Sequence, residues 1–171
     1  VTKLLRKGKN AVGVTLGNGW YRGYLGIRGQ RDFYGSDLAL LFQLTIKYTD
    51  GTTEQVISDG SWQSATGPIL YSELYHGETY DARLEKLGWS LPDYYDEGWS
   101  GVVVRDYPVN NLLATENELV KKQETLQPVK LFKTPKGEQV IDFGQNLVGW
   151  VQVKASGKAG DLITLVHAEV L

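Results

Sequence analysis

Phe42, Leu44, Ile46 and Tyr48 alternate with Gln43, Thr45, Lys47 and Thr49, a period of two that suits a β-strand with one apolar and one wet face. Asp50-Gly51 follows, the preferred pair for a type I′ hairpin turn, and Thr52 to Ile57 then reads as the return strand. Similar short runs recur. Ala11 to Leu16, Ile69 to Tyr75, Gly101 to Tyr107, Glu138 to Phe143, the Val151, Val153, Ala155 alternation and Leu162 to Leu171 read as strands, and Leu119 to Lys133 as extended chain. Turn residues at Asp59 to Trp62, Gly67-Pro68 and Ser156 to Asp161 punctuate them, and Gly17 to Gly29 reads as a loop. Helical periodicity is nearly absent, and Pro92 to Trp99 has a polar, short-turn composition that also admits one helical turn anchored by Trp99. The pattern predicts an all-β protein built of antiparallel β-sandwich modules.

The composition removes several function classes. A formal net charge of −2 leaves no basic stripe for a phosphate backbone, so nucleic acid is not an expected partner. With no cysteine there is no disulfide scaffold, no thiolate nucleophile and no sulfur-bound zinc. The apolar stretch Leu38 to Phe42 is far short of the ~20 residues that span a bilayer, so no membrane span is expected. The opening residues lack both an initiator Met and the apolar core of a signal peptide, and the sequence reads as a piece of a longer polypeptide. A stretch over 108–117, marked by Asn110-Asn111 and a lack of aromatics, reads as a connector between a β-rich module at 1–107 and the start of a second at 118–171.

Chemistry concentrates in glycine-punctuated runs: Gly17-Asn18-Gly19-Trp20-Tyr21, Gly77 to Arg83, and Ile141 to Asn146. Apolar C–H faces of sugars pack on aromatic rings, while carboxylates, amides and guanidinium fix the hydroxyls. Asn18, Trp20, Tyr21, Tyr75, Glu78, Tyr80, Asp81 and Arg83 are therefore the carbohydrate-binding candidates, with Tyr24 beside them. Against this stands a structural reading in which Glu78, Asp81 and Arg83 order their own turns, and Trp62, Trp89, Trp99 and Trp150 serve packing.

Other chemistries lack support. Asp142-Phe143-Gly144 matches the metal-binding triplet of protein kinases, but no His-Arg-Asp catalytic loop accompanies it. Gly17, Gly19 and Gly23 miss the dinucleotide-binding spacing by one position and have no βαβ unit around them. His76 and His167 lie in different β regions and read as partly buried hydrogen-bonding residues rather than metal ligands. No Ser or Thr sits in a nucleophile elbow. Glu73, Glu78 and Asp81 are the carboxylates from which a glycosidase pair would be drawn, yet turn-ordering and ion pairing fit them better.

Taken in order, Asn10 to Gly23, Gly67 to Arg83, and Asp142 to Val151 with His167 to Leu171 resemble the N-terminal module and following β-domain of bacterial α-L-rhamnosidases. The resemblance covers essentially the whole chain and implies jelly-roll-like β-sandwich modules beside a catalytic helical barrel. It implies removal of terminal α-L-rhamnose from glycosides with inversion by the whole enzyme, whose acid and base sit in that barrel, so no catalytic residue is assigned here. It further implies a part in recognising rhamnose-containing glycosides, with calcium as a possible companion whose ligands are not assigned to positions here. The alternative is a purely structural module that braces the barrel or mediates a dimer contact. Periplasmic, secreted and cytoplasmic locations all remain open on this resemblance.

Overall fold

The computed structural model describes residues 1–25 and 29–169. The chain divides into two units, Val1–Pro108 and Val109–Leu171. In chain order the strands are β1 (Gln43–Lys47), β2 (Thr53–Ile57), β3 (Gln63–Ser64), β4 (Ile69–Glu73), β5 (Gly77–Tyr80), β6 (Ser100–Gly101), β7 (Lys130–Lys133) and β8 (Gln139–Asp142). They pair as β1-β2, β3-β6, β4-β5 and β7-β8, all antiparallel. The all-β, antiparallel class expected from the alternation is the one observed, with one helical turn at Gly19–Arg22 and two short 3-10 turns besides. No helix among the described residues is long and apolar enough to cross a membrane.

The β1-β2 hairpin forms with Lys47 opposite Thr53, and its half-buried residues Phe42, Leu44 and Ile46 follow the predicted period of two. Its turn differs from the expectation. A type I′ turn needs left-handed backbone at both central residues, whereas Asp50 keeps a negative φ and only Gly51, at φ 89°, is left-handed. Tyr48 N–H donates to the Thr52 carbonyl at 2.9 Å and Gly51 N–H to the Tyr48 carbonyl at 3.1 Å, so Thr49-Asp50-Gly51 forms the loop. The Asp50 carboxylate rewards that geometry by accepting from Thr52 N–H at 2.9 Å and Thr52 Oγ1 at 2.7 Å. Pro135-Lys136-Gly137 repeats the design between β7 and β8, with Gly137 at φ 88°.

Several expected strands are not strands among the described residues. Ala11 to Leu16, the Val151 to Ala155 alternation and the described part of Leu162 to Leu171 have no ladder partner, and Gly101 to Tyr107 contributes only its first residue to β6; of the stretch Leu119 to Lys133, read as extended chain, the last four residues form β7. An alternating sequence defines a face, but a strand also needs a neighbour to take its N–H and C=O groups. Pro92 to Trp99 forms the short turns its composition suggests, without a helical turn, and Trp99 is anchored against Trp89 at 6.4 Å and Tyr94 at 5.8 Å between ring centroids. No hydrophobic side chain is fully buried among the described residues. In the first unit half-buried Phe42, Leu44, Ile46, Val56 and Trp62 gather on the β1-β2 hairpin, where the Phe42 and Trp62 rings lie 5.5 Å apart. Trp62 Nε1 donates to the Ile57 carbonyl at 2.9 Å, satisfying its polar end.

Candidate functional site

Glu73 ends β4 and is 7% exposed, the one buried polar side chain among the described residues. A buried carboxylate is costly unless its oxygens are engaged. Oε1 accepts from Asn18 Nδ2 at 2.7 Å and Oε2 from the Tyr24 backbone N–H at 3.0 Å, so both are. Burial works to raise the Glu73 carboxyl, but these two bonds, with the charges of Arg31 and His76, outweigh it and hold the group below the ordinary range. Glycine at position 23 makes the approach possible, since a Cβ there would lie 2.6 Å from Glu73 Oε2. The loop from Asn18 to Tyr24 is thereby latched to the tip of the β4-β5 hairpin.

The latch places aromatic rings together. Trp20, on the helical turn Gly19–Arg22, meets Tyr75 of the Leu74 to His76 hairpin tip edge to face, with centroids 6.3 Å apart and planes at 86°. Trp20 is 60% and Tyr75 67% exposed. Tyr24 packs on His76 at 5.3 Å, and the Arg31 guanidinium lies 5.0 Å from the Tyr24 ring centroid. His76 Nδ1 shares a 2.8 Å hydrogen bond with the Tyr71 hydroxyl. His76 therefore has the hydrogen-bonding place expected of it, but on an exposed turn rather than in a partly buried one.

The remaining candidates lie elsewhere. Glu78 stands opposite Ser72 while Tyr71 pairs with Thr79 and Glu73 with Gly77, so Glu78 and Glu73 occupy opposite faces of the hairpin. Tyr80, opposite Ile69, is at the far end of the hairpin, roughly 13 Å from Glu73 at the usual rise per residue. There its hydroxyl donates to Glu85 at 2.7 Å, an arrangement that, together with burial and the negative charge nearby, raises the Tyr80 phenol. Asp81 accepts a bidentate pair from Arg83, Nε to Oδ1 at 2.8 Å and Nη2 to Oδ2 at 2.6 Å, plus the Arg83 backbone N–H at 3.0 Å. These bonds, the side-chain pair foremost, lower the Asp81 carboxyl to about 2. Tyr21 lies against Gly35, where a Cβ would overlap its hydroxyl.

Thus Asn18, Trp20 and Tyr75 converge, while Tyr80, Asp81 and Arg83 form a second group, with Glu78 on the same face of β5 as Tyr80 and near enough for its charge to act on the phenol. Glu73, Glu78 and Asp81 do not converge across any one cleft. Sequence reasoning set Glu73 among possible acids, not at the centre of the Trp20 loop, and passed over Arg31 and Tyr71. The period-two spacing of Tyr71 and Glu73, two residues before Tyr75, was the available signal. Calcium takes six to eight oxygen ligands, and no three His, Asp or Glu groups gather among the described residues. With both Glu73 oxygens accepting from N–H donors, these residues do not supply a calcium shell.

A family model described as the alpha-L-rhamnosidase N-terminal domain matches residues 1–124. The chain belongs to this α-L-rhamnosidase family. Residues 132–171 match the bacterial alpha-L-rhamnosidase concanavalin-like domain. All of the chain aligns with an alpha-L-rhamnosidase of Formosa agariphila at 35% identity and with one of Streptomyces avermitilis at 41%. It spans only 18% and 17% of the length of those relatives. Among solved structures, the native α-L-rhamnosidase of Aspergillus terreus superposes with a TM-score of 0.73 at 41% identity, over 79% of this chain and 16% of that one. The α-L-rhamnosidase of Streptomyces avermitilis, solved with L-rhamnose, gives a TM-score of 0.67 at 38% identity over 76% of this chain and 13% of that one. These likenesses to α-L-rhamnosidases account for the ordered motifs from Asn10 to Leu171.

Proposed function

We propose that the chain is a non-catalytic part of an enzyme that hydrolyses terminal α-L-rhamnose from glycosides, and that it helps to recognise the rhamnoside. The observation that carries this reading is the exposed Trp20–Tyr75 pair, set edge to face on a loop that the buried Glu73 latches in place. A deoxysugar such as rhamnose presents apolar C–H and methyl surface, which suits such a ring pair. A preset platform also avoids the entropy of ordering two aromatic side chains on binding. Calcium has no part in this reading.

Isothermal titration of L-rhamnose into the protein tests it, with Trp20→Ala and Tyr75→Ala beside the parent and each run repeated with calcium and with chelator. The expected result is saturable heat, weakened up to about tenfold by either substitution and indifferent to calcium. Absence of heat from a folded sample rejects the recognition role.

A second reading has its own observation: the motif carboxylates are internally satisfied, Glu73 by Asn18 and Tyr24 and Asp81 by Arg83. Under it the module braces the enzyme's catalytic helical barrel or a dimer contact, and the alanine variants lose thermal stability without any change in sugar binding by the folded fraction.

A further inference from the structure

Asn18, whose side-chain amide closes the latch on Glu73, is followed by Gly19, and alone among the asparagines of the chain it has glycine next. Such a pair is chemically reactive without any enzyme. The backbone nitrogen that follows an asparagine can attack its Cγ and close a five-atom imide ring, and glycine, having no Cβ, leaves that nitrogen unhindered. Gly19 is open in the fold as well: a Cβ there would meet no neighbouring atom within 4 Å. The residue that holds the Trp20 loop to the β4-β5 hairpin is thus also the asparagine with the least obstructed neighbour.

Three contacts oppose ring closure while the latch is shut. Asn18 Nδ2 donates to Glu73 Oε1 at 2.7 Å, which fixes the side chain that would have to swing toward the Gly19 nitrogen. The Asn18 backbone sits in the helical region at φ −61° and ψ −42°, and its carbonyl accepts from Arg22 N–H at 3.1 Å, so the rotation of ψ that cyclisation needs would break that bond. Glu73 cannot follow the amide outward, because its other oxygen accepts from Tyr24 N–H. Electrostatics act in the same sense. The attacking nitrogen gives up its proton and the ring passes through a negatively charged state, which the neighbouring Glu73 carboxylate disfavours in a site sheltered from water.

We infer that Asn18 is a site of spontaneous deamidation whose rate the Glu73 latch controls, and that the reaction opens the latch for good. The Gly19 nitrogen bonds to Asn18 Cγ, the Cγ–Nδ2 bond breaks, and ammonia leaves with the proton that Gly19 N–H gives up. Water then opens the imide at one of its two carbonyls, leaving aspartate or, where the main chain is rerouted through the side-chain carbonyl, isoaspartate. One water is consumed, one ammonia is released and one negative charge is gained. The product has lost the N–H donor that Glu73 requires and sets a second carboxylate against it, and two like charges in a sheltered site repel. Local opening of the loop is thereby converted into a permanent change. The inference concerns the latch alone and does not rest on sugar binding by Trp20 and Tyr75.

The test incubates the protein in mildly alkaline buffer made with heavy-oxygen water and follows the Asn18 peptide by mass spectrometry, which reads replacement of the amide by a labelled acid. Parent, Glu73→Ala and Gly23→Ala are compared, with urea-unfolded parent giving the unprotected rate. Glu73→Ala is expected to deamidate at Asn18 about tenfold faster than the parent, the factor that corresponds to losing one hydrogen bond to a charged group. Gly23→Ala, which crowds Glu73 without removing it, raises the rate by a smaller factor. Asn18→Gln, whose longer side chain has to close a larger and less favoured ring, keeps its amide throughout. Asn18→Asp, made as the reaction product, lowers the melting temperature as far as Glu73→Ala does. Amide-proton protection in the β1-β2 hairpin separates local unlatching from global unfolding, and if Glu73→Ala loses that protection, Gly23→Ala decides.

Equal rates at Asn18 in the parent and in the folded unlatched variant overturn control by the latch, as does a parent that reacts as fast as the unfolded chain. An Asn18 that keeps its amide even in urea overturns the site itself. If Asn18→Asp melts with the parent, a carboxylate at position 18 is tolerated beside Glu73 and the consequence for the latch is rejected.

Discussion

The Asn18 side-chain amide donates to the Glu73 carboxylate at 2.7 Å, joining residues 55 positions apart in the chain. With the Tyr24 N–H on the other oxygen, this contact turns a glycine-rich segment into a latched loop. The cost of ordering that loop is met by two charge-assisted hydrogen bonds made in a site sheltered from water.

Glu73→Ala leaves the Asn18 amide and the Tyr24 N–H without their acceptor and frees the loop that carries Trp20. The expected melting temperature falls by about 5 °C, and L-rhamnose affinity falls about tenfold. Because its carboxyl is held low in the folded state, the latch contributes stability above the ordinary glutamate range and loses it as pH falls through the depressed value. Scanning calorimetry from neutral to acid pH, on the parent and on Glu73→Ala, checks both statements. Identical melting curves would remove the latch.

Gly23→Ala introduces a methyl against the Gly19 carbonyl oxygen and 2.6 Å from Glu73 Oε2. Overpacking of this kind costs about 1–3 kcal/mol, so denaturant unfolding is expected to shift its midpoint downward while Trp20 fluorescence moves toward that of the free side chain. Gly17→Ala is the matched control, because no neighbouring atom lies within 4 Å of a Cβ there. Its stability is expected to change by less than about 0.5 kcal/mol.

The Asp81 carboxyl, lowered to about 2 chiefly by the Arg83 side chain, gives a signed pH dependence. Its unfolded value lies near ~3.9, so the pair stabilises the fold fully above that pH and its contribution fades as pH falls through about 2. Carboxyl NMR is expected to place the Asp81 midpoint near the low value, and Arg83→Gln to return it toward the ordinary range. Arg83 is 68% exposed, so added salt moves the midpoint the same way. A midpoint near the ordinary value in the parent protein contradicts the pair.

Gly51→Ala puts a Cβ at φ 89° in the β1-β2 turn. The expected cost is about 1–2 kcal/mol, read by chemical denaturation, whereas Asp50→Gly, which also removes the carboxylate that binds Thr52, tests the side-chain contribution to the same loop. If Gly51→Ala is neutral, the loop does not need its left-handed residue.

The sequence by itself determined the all-β antiparallel class, the β1-β2, β4 and β8 segments, and the concentration of ring and polar side chains at Gly17 and Gly77. Each is local: alternation, turn chemistry and composition act over a few residues. The tertiary structure alone decided which alternating runs became strands, since Val151 to Ala155 and Ala11 to Leu16 needed partners that their own residues do not specify. It also decided the site. Glu73 looked like one carboxylate among several until the fold carried it beneath Asn18 and Tyr24, and Asp81 looked like its neighbour until the register of β4 and β5 set the two at opposite ends of a hairpin. Hydrogen bonds between residues distant in sequence depend on chain closure and register, and neither is written in the spacing of either segment.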